Sequence, residues 1–307
     1  MSALNAPQFQ DEAKARRYLE KLRWADGRFC PHCGDIGNSG ALEGEKHRDG
    51  LYKCYACREQ FTVTVGTVFE SSHIPLHQWL QAAYLMCTSK KGISSKQLQR
   101  MLQLKSYKSA WFLSHRLRFA MAQPDAEPMG TDGGIVEADE TYIGRKPGRQ
   151  KARAGAGHKN VVFSLIERGG TVKSFHITGK TFPGIKRALL GSVSKDAKLM
   201  TDDARMYKKI GRPFADHQSV NHSAGEYVRG NAHTNTIENF FSVFKRGMIG
   251  TYQHCGSQHL HRYLAEFDFR HNARSALGVE DAERTTRALL GIEGKRLTYK
   301  APIKKDL

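Results

Sequence analysis

Two CxxC pairs, Cys30-Pro-His-Cys33 and Cys54-Tyr-Ala-Cys57, lie twenty residues apart and constrain this chain more than any other feature. A tetrahedral zinc ion takes four soft ligands, and each CxxC turn presents two thiolates to one ion. The spacing sits at the edge of the C-x2-C-x15–20-C-x2-C pattern. Gly34 after the first pair and the β-forming residues between the pairs predict a zinc ribbon. With all four positions filled by protein the Zn2+ is expected to be structural, because no position is left for water. The remaining two cysteines, Cys87 and Cys255, stand alone and read as packing residues. This grouping argues against a disulfide scaffold and for a reducing compartment.

Charge narrows the function class. The 307 residues carry 48 Lys+Arg against 30 Asp+Glu, a formal net charge of +18, which favours a polyanionic partner. The excess is uneven. Residues 1–60 hold 10 basic and 9 acidic side chains, whereas Ser71–Gln123 holds eight basic and no acidic ones, and Arg145–Lys159 six more without an acid. Basic zones in series suit a long polyanion better than a small anionic ligand. No apolar run reaches the roughly 18 residues of a membrane span, and the first thirty residues lack a signal-type apolar region. A cytoplasmic protein without a membrane partner is expected.

Periodicity divides the chain into four parts. Residues 1–70 read as a short helix followed by a small β unit (Tyr52–Cys54, then Phe61–Val65), the zinc ribbon. Residues 71–123 read as helices. Leu76, Leu80, Ala83, Tyr84 and Cys87 fall at helical spacing, Ser94-Ser95 start a short helix through Leu102, and Lys105–Met121 forms another. This cadence is helix-turn-helix-like, with Lys105, Lys108, Arg116 and Arg118 available to DNA phosphates or base edges. The alternative is a helical hairpin with a solvated basic face; the absence of acid across the segment favours DNA. Pro124–Gly134 is a loop and a domain boundary. Residues 131–275 form an α/β unit with a mixed sheet. Its strands are Ile135–Ile143, Asn160–Glu167, Val172–Thr178, Lys198–Thr201 and one near Val220; its helices are Pro183–Leu190, Asn235–Met248 and His259–Asn272. Residues 276–307 read as a basic C-terminal tail.

Three acidic residues stand out by placement. Asp139 lies near the end of one predicted strand, Asp202 directly after another, and Glu238 near the start of a helix whose Ile237, Phe240, Phe241, Phe244 and Met248 make an apolar stripe. Glu238 and Lys245 are seven residues apart and nearly aligned on the flank of that stripe, bordered by Asn235 and Ser242. Phosphodiester chemistry with two divalent ions needs carboxylates from different elements, and Mg2+ takes few protein carboxylates beside water and phosphate oxygens. Singly, each acid is more often a surface charge or cap, and Glu238 near a helix N-terminus could simply favour the dipole; the joint placement raises the catalytic reading. Glu140 and Asp203 adjoin the leading candidates but point to the opposite side of an extended backbone. His254, Cys255, His259 and His261 read as a helix-start cluster rather than a second zinc site, and His222 as a polar residue or a phosphate contact.

The order of zinc ribbon, helical segment, Asp139-Glu-Thr-Tyr strand, Thr201-Asp202 strand and His233-Thr-Asn-Thr-Ile-Glu-Asn-Phe…Phe244-Lys-Arg-Gly…Gly250-Thr-Tyr resembles bacterial insertion-sequence transposases of the ISXO-like group. The resemblance runs from about residue 10 to 275 and is most specific over Asn235–Tyr252 and His259–Arg274. It implies a ribonuclease-H-like catalytic fold. Asp139 and Asp202 become the first two acidic ligands of a catalytic Mg2+ or Mn2+ pair, and Lys245, with Arg246 beside it, a DNA contact. The third catalytic position is open between Asn235 and Glu238, since members of the group use either residue type; a carboxylate is the better Mg2+ ligand and favours Glu238.

The expected function is therefore a DNA transposase that cleaves element ends and joins the 3′-hydroxyl to target DNA. Its partners are double-stranded DNA, as terminal repeats and target, and a second copy of itself on DNA, because two ends must be joined. The alternatives are a non-catalytic sequence-specific DNA binder and a ribonuclease-H-like nuclease or resolvase that cuts without joining.

Overall fold

The structure is a computed structural model that describes residues 3–123, 127–150, 156–221, 225–226 and 228–298. The chain separates into two compact units. One contains the described residues up to Ser89, Ile93–Ala122 and those from Glu280 onward; the other contains Lys90–Gly92 and the described residues from Gln123 to Val279. No helix among the described residues is long and apolar enough to cross a membrane.

The first unit opens with helix α1 (Glu12–Arg23), started by the Asp11 carboxylate accepting from the Lys14 backbone N–H. Strands β1 (Ser39–Ala41), β2 (Tyr52–Cys54) and β3 (Gln60–Phe61) follow as a small antiparallel sheet in that order. Its core is aromatic: Trp24 meets Tyr52 and Phe61 edge-on at 5.4 and 6.1 Å between ring centroids. Such a unit buries too little apolar surface to hold together without a staple. Helices α2 (Leu76–Thr88), α3 (Ser95–Met101) and α4 (Tyr107–Met121) come next, the last two capped by the Ser94 and Ser106 hydroxyls. Cys87 is buried within α2, as expected of a packing residue.

Two expectations for this unit need correction. Residues from 276 onward are not merely a tail, because Asp281–Leu290 forms helix α9, which packs on α2 and α4 and buries Arg284, Thr285, Ala288 and Leu289. The Arg284 guanidinium donates to the Cys87 carbonyl at 3.3 Å. Arg116 and Arg118, read as phosphate contacts, are 5% and 0% exposed. Arg116 donates to the carbonyls of Glu70 (2.7 Å) and Leu297 (3.2 Å) and lies over the Phe112 ring. The chain segments on either side of α4 thus take up the guanidinium that the helix face alone leaves for solvent. Arg116→Ala is expected to lower stability by about 2–3 kcal/mol, through two lost carbonyl partners and the ring contact. The salt dependence of DNA binding is expected to stay unchanged, since no phosphate contact goes; chemical denaturation and a salt titration check the two halves. Lys105 and Lys108, in contrast, are exposed at the start of α4.

The second unit is built on a five-stranded sheet in the order β6-β5-β4-β7-β8: β4 (Ile135–Ile143), β5 (Asn160–Glu167), β6 (Val172–Ile177), β7 (Lys198–Asp202) and β8 (Asp216–Val220). The first three run antiparallel, with a turn at Gly169 (φ 74°) joining β5 to β6. Strands β7 and β8 are parallel to β4 and to each other. Alternation along the strands separates two cores. Val136, Ala138, Phe163, Leu165 and Leu199 face α5 (Thr181–Leu190) and α6 (Arg205–Ile210), meeting Ile185, Leu189 and Tyr207. Val162, Ile166 and Val172 face α7 (Asn235–Gly247) and α8 (Leu260–Asn272), where the whole predicted stripe of Ile237, Phe240, Phe241, Phe244 and Met248 is buried. The result is a mixed α/β layered unit, and most predicted elements fall within a residue or two of their expected bounds.

Candidate functional site

The four cysteines converge. Their Sγ atoms all lie within 4.8 Å of one another, with Cys30–Cys57 at 3.6 Å and Cys33–Cys54 at 3.7 Å. Four thiolates about 2.3 Å from a tetrahedral zinc are separated by about 3.8 Å, so the cluster has the dimensions of an S4 zinc site. The backbone N–H of Cys57, with that of Ala56, holds the Cys54 thiol down to about 7, whereas burial and the neighbouring thiols push Cys57 up to about 12, so the four sulfurs do not all ionise without a cation among them. This is the one metal-type grouping of three or more side chains among the described residues. His254, Cys255, His259 and His261 do not assemble into such a group there. Cys255 packs against the α7–α8 core instead. His222 lies outside the described residues.

The carboxylates occupy one face of the second sheet. Strand β4 pairs in parallel with β7 as far as Glu137 opposite Met200, and Asp139 and Asp202 stand two positions beyond that pair. Side chains alternate along a strand, so Asp139 shares its face with Glu137 and Asp202 shares its face with Met200. That face is the one covered by α7, since Glu137 bonds the first turn of this helix. Both aspartates therefore open toward the helix that carries Glu238. Glu140 takes the other face, where the Tyr207 hydroxyl of α6 donates to it, as the alternation predicts.

The electrostatics of Asp139 reflect burial and acidic neighbours. Burial, then the charges of Glu140, Asp202 and Glu238, push the Asp139 carboxyl up to about 8, against a hydrogen bond from the Glu140 N–H (2.7 Å) that acts the other way. The Asp202 carboxylate accepts from the Ala204 N–H at 3.1 Å. Glu238 is exposed in the first turn of α7, where the Thr234 hydroxyl donates to it at 2.9 Å. Asn235 is the first residue of the same helix and is also exposed. Asp139, Asp202 and Glu238 are thus near enough to feel one another's charge, although their oxygens do not close into a three-ligand group of the kind the cysteines form; a cation between them would relieve that repulsion. The all-oxygen donor set fits Mg2+ or Mn2+, which keep water and phosphate oxygens in their shells. Lys245 and Arg246 are exposed in the last turn of α7, the Arg246 guanidinium donating to the Ser242 carbonyl at 3.1 Å.

A second charged cluster behind these residues has no counterpart among the sequence candidates. Glu137 is fully buried on β4. Its carboxylate accepts from Arg168 Nε (2.6 Å), the Thr236 hydroxyl (2.9 Å) and the Ile237 backbone N–H (2.9 Å). His233 Nδ1 lies 3.3 Å away, within ion-pair distance but outside hydrogen-bond alignment. Arg168 also donates to the His233 carbonyl at 3.0 Å. The sequence did hold a signal: Glu137 is two residues before Asp139, at a strand position whose neighbours of like parity must be buried under a helix.

Comparison with known proteins agrees with this geometry. A family described as ISXO2-like transposase domain matches residues 132–272, and one described as transposase zinc-ribbon domain matches residues 10–60. A Halobacterium salinarum protein described as an uncharacterized protein in transposable element ISH50 is 28% identical over 288 residues, which covers 89% of this chain and 95% of that protein. With a transposase zinc ribbon around the cysteine quartet and a transposase domain over the strands and helix that bear the carboxylates, the chain belongs to the ISXO2-like insertion-sequence transposases.

Proposed function

We propose that the chain cuts the ends of its insertion sequence and joins the freed 3′-hydroxyl to target DNA, with Asp139, Asp202 and Glu238 as the ligands of two catalytic divalent ions. The observation that carries this reading is the placement of Asp139, in the middle of β4 rather than near its end, and Asp202, the last residue of the neighbouring β7, on the sheet face covered by α7. The strand order, three antiparallel strands followed by two parallel ones across β4, supports a ribonuclease-H-like fold for this unit. When bound, the ions activate the attacking oxygen and stabilise the leaving one.

The chain's own residues supply the rest. Asp139 and Asp202 would hold the ions from the sheet, and Glu238 from the helix. In the first step water attacks phosphorus and the bond to the 3′-oxygen breaks. In the second that 3′-hydroxyl attacks a target phosphorus, loses its proton and displaces the target's 3′-oxygen, so no enzyme side chain becomes covalently linked. Lys245 and Arg246, both about two turns along from Glu238, are suited to the adjacent phosphates. Lys105 and Lys108, at the start of α4, serve a helix-turn-helix-like contact formed by α3 and α4. The zinc ribbon adds to terminal-repeat recognition, and two ends require a dimer on DNA.

An oligonucleotide assay with the element's own terminal sequence tests the proposal. Strand transfer that requires added Mg2+ or Mn2+ is expected. Metal-dependent cutting without joining would leave a nuclease, and binding without cutting a DNA-binding protein.

A further inference from the structure

We propose that Glu137 is a positioning residue, which fixes the first turn of α7, and through it Glu238, against the strand that carries Asp139. The inference rests on the metal-site reading above and adds to it the residue that sets the spacing of the carboxylates.

An α-helix begins with four backbone N–H groups that have no partner within the helix, and a side chain of the N-cap residue ordinarily satisfies one of them. In α7 the N-cap, Thr234, makes no such bond. Its hydroxyl is turned to Glu238 at 2.9 Å instead. The missing cap comes from 100 residues away in sequence, where the Glu137 carboxylate takes the Ile237 N–H through one oxygen and the Thr236 hydroxyl through the other. A carboxylate at a helix N-terminus is also favoured by the helix dipole. Arg168 balances the charge at 2.6 Å and ties in the His233 carbonyl just before the helix.

The cluster is costly unless every partner is in place, because a buried carboxylate without its donors is strongly destabilising. It therefore permits one arrangement of β4 and α7 and disfavours sliding of the helix along the sheet. Two residues on from Glu137 is Asp139, on the same face; one residue on from Ile237 is Glu238. The fixed pair Glu137–Ile237 thus sets the relation between two candidate ligands that the chain holds 99 positions apart. The apolar stripe of α7 cannot do this alone, since Phe240, Phe241 and Phe244 grip the sheet through non-directional contacts.

Glu137→Ala, Glu137→Gln and Thr236→Val are compared with the parent and with Asp139→Ala in the full chain. Two readouts do not depend on turnover: Mn2+ affinity from the electron-paramagnetic-resonance signal of free Mn2+, and amide hydrogen exchange at Ile237. Glu137→Ala is expected to speed Ile237 exchange at least about tenfold and to weaken Mn2+ binding about 10- to 100-fold. Strand transfer is expected to fall with it and to recover in part at high Mn2+. Glu137→Gln keeps an acceptor for the Ile237 N–H and is expected to lie between Ala and parent. Thr236→Val, which removes one bond and little volume, is expected to shift Mn2+ affinity about two- to fivefold in the same direction. If Glu137→Ala does not fold, the Gln and Val variants decide the matter. Parent-like Mn2+ affinity in folded Glu137 and Thr236 variants, when Asp139→Ala has lost it, overturns the positioning role alone. Absence of Asp139-dependent Mn2+ binding in the parent overturns the metal-site reading and the positioning role together.

Discussion

Asp139→Ala and Asp202→Ala are each expected to reduce strand transfer by about 10³-fold or more, the several kcal/mol that a metal ligand contributes to the transition state. Duplex affinity is expected to stay within about twofold, because neither change removes a cation that meets phosphate. Retained strand transfer in either variant would remove the assignment. Asp139→Asn carries a second signature in Mg2+-free buffer. The carboxyl sits at about 8 in the folded protein and near 4 in an unfolded chain. Between those values the folded state binds a proton that the unfolded state has released, so the stability this group confers is complete below about pH 4 and declines as pH rises to about 8. The Asn variant lacks that decline. It is therefore expected to melt higher than the parent at about pH 7.5 and to approach it near pH 4.5. Thermal unfolding at the two pH values measures the difference, and identical melting curves at both would show that burial and the neighbouring carboxylates do not raise Asp139.

Loss of the zinc site is expected to have the largest structural effect. Four-thiolate zinc binding is worth about 10–16 kcal/mol in small domains, and that energy is folding energy. Elemental analysis of the parent is expected to find one zinc per chain, and Cys54→Ser or Cys30→Ser to abolish it and to leave β1, β2 and β3 without hydrogen-exchange protection. The Trp24, Tyr52 and Phe61 cluster is too small to replace it. Cys87→Ala and Cys255→Ala, whose side chains pack in helical cores, are expected to keep full zinc content. Stoichiometric zinc in the Cys54 variant would defeat the site.

Local pattern carried much of this protein. The β4, β5 and β6 runs are rich in β-branched and aromatic residues, β5 being apolar on both faces, and α7 shows its stripe because every fourth or third residue from Ile237 is apolar. The missed elements are those in which local pattern is thin. Strand β1 is Ser-Gly-Ala, with no β-branched or aromatic residue, and forms because the cysteine pairs bring it beside β2. Helix α6 has six residues, too few to display a period. Helix α9 hides its buried face behind Arg284 and Thr285, which sequence reading assigns to solvent. The same limit hid the interior role of Arg116.

The amino-acid order alone determined the zinc ligands, the buried face of α7, and the parity that puts Asp139 and Glu140 on opposite sides. These depend on neighbours within a few residues, and the backbone geometry of strand and helix fixes them. Only the tertiary structure decided that β4 lies beside β7, that Glu137 caps a helix 100 residues away, and that Arg116 is withdrawn from solvent. Those outcomes depend on which distant segment removes water from a polar group and supplies its partner, and no periodicity within a segment records that.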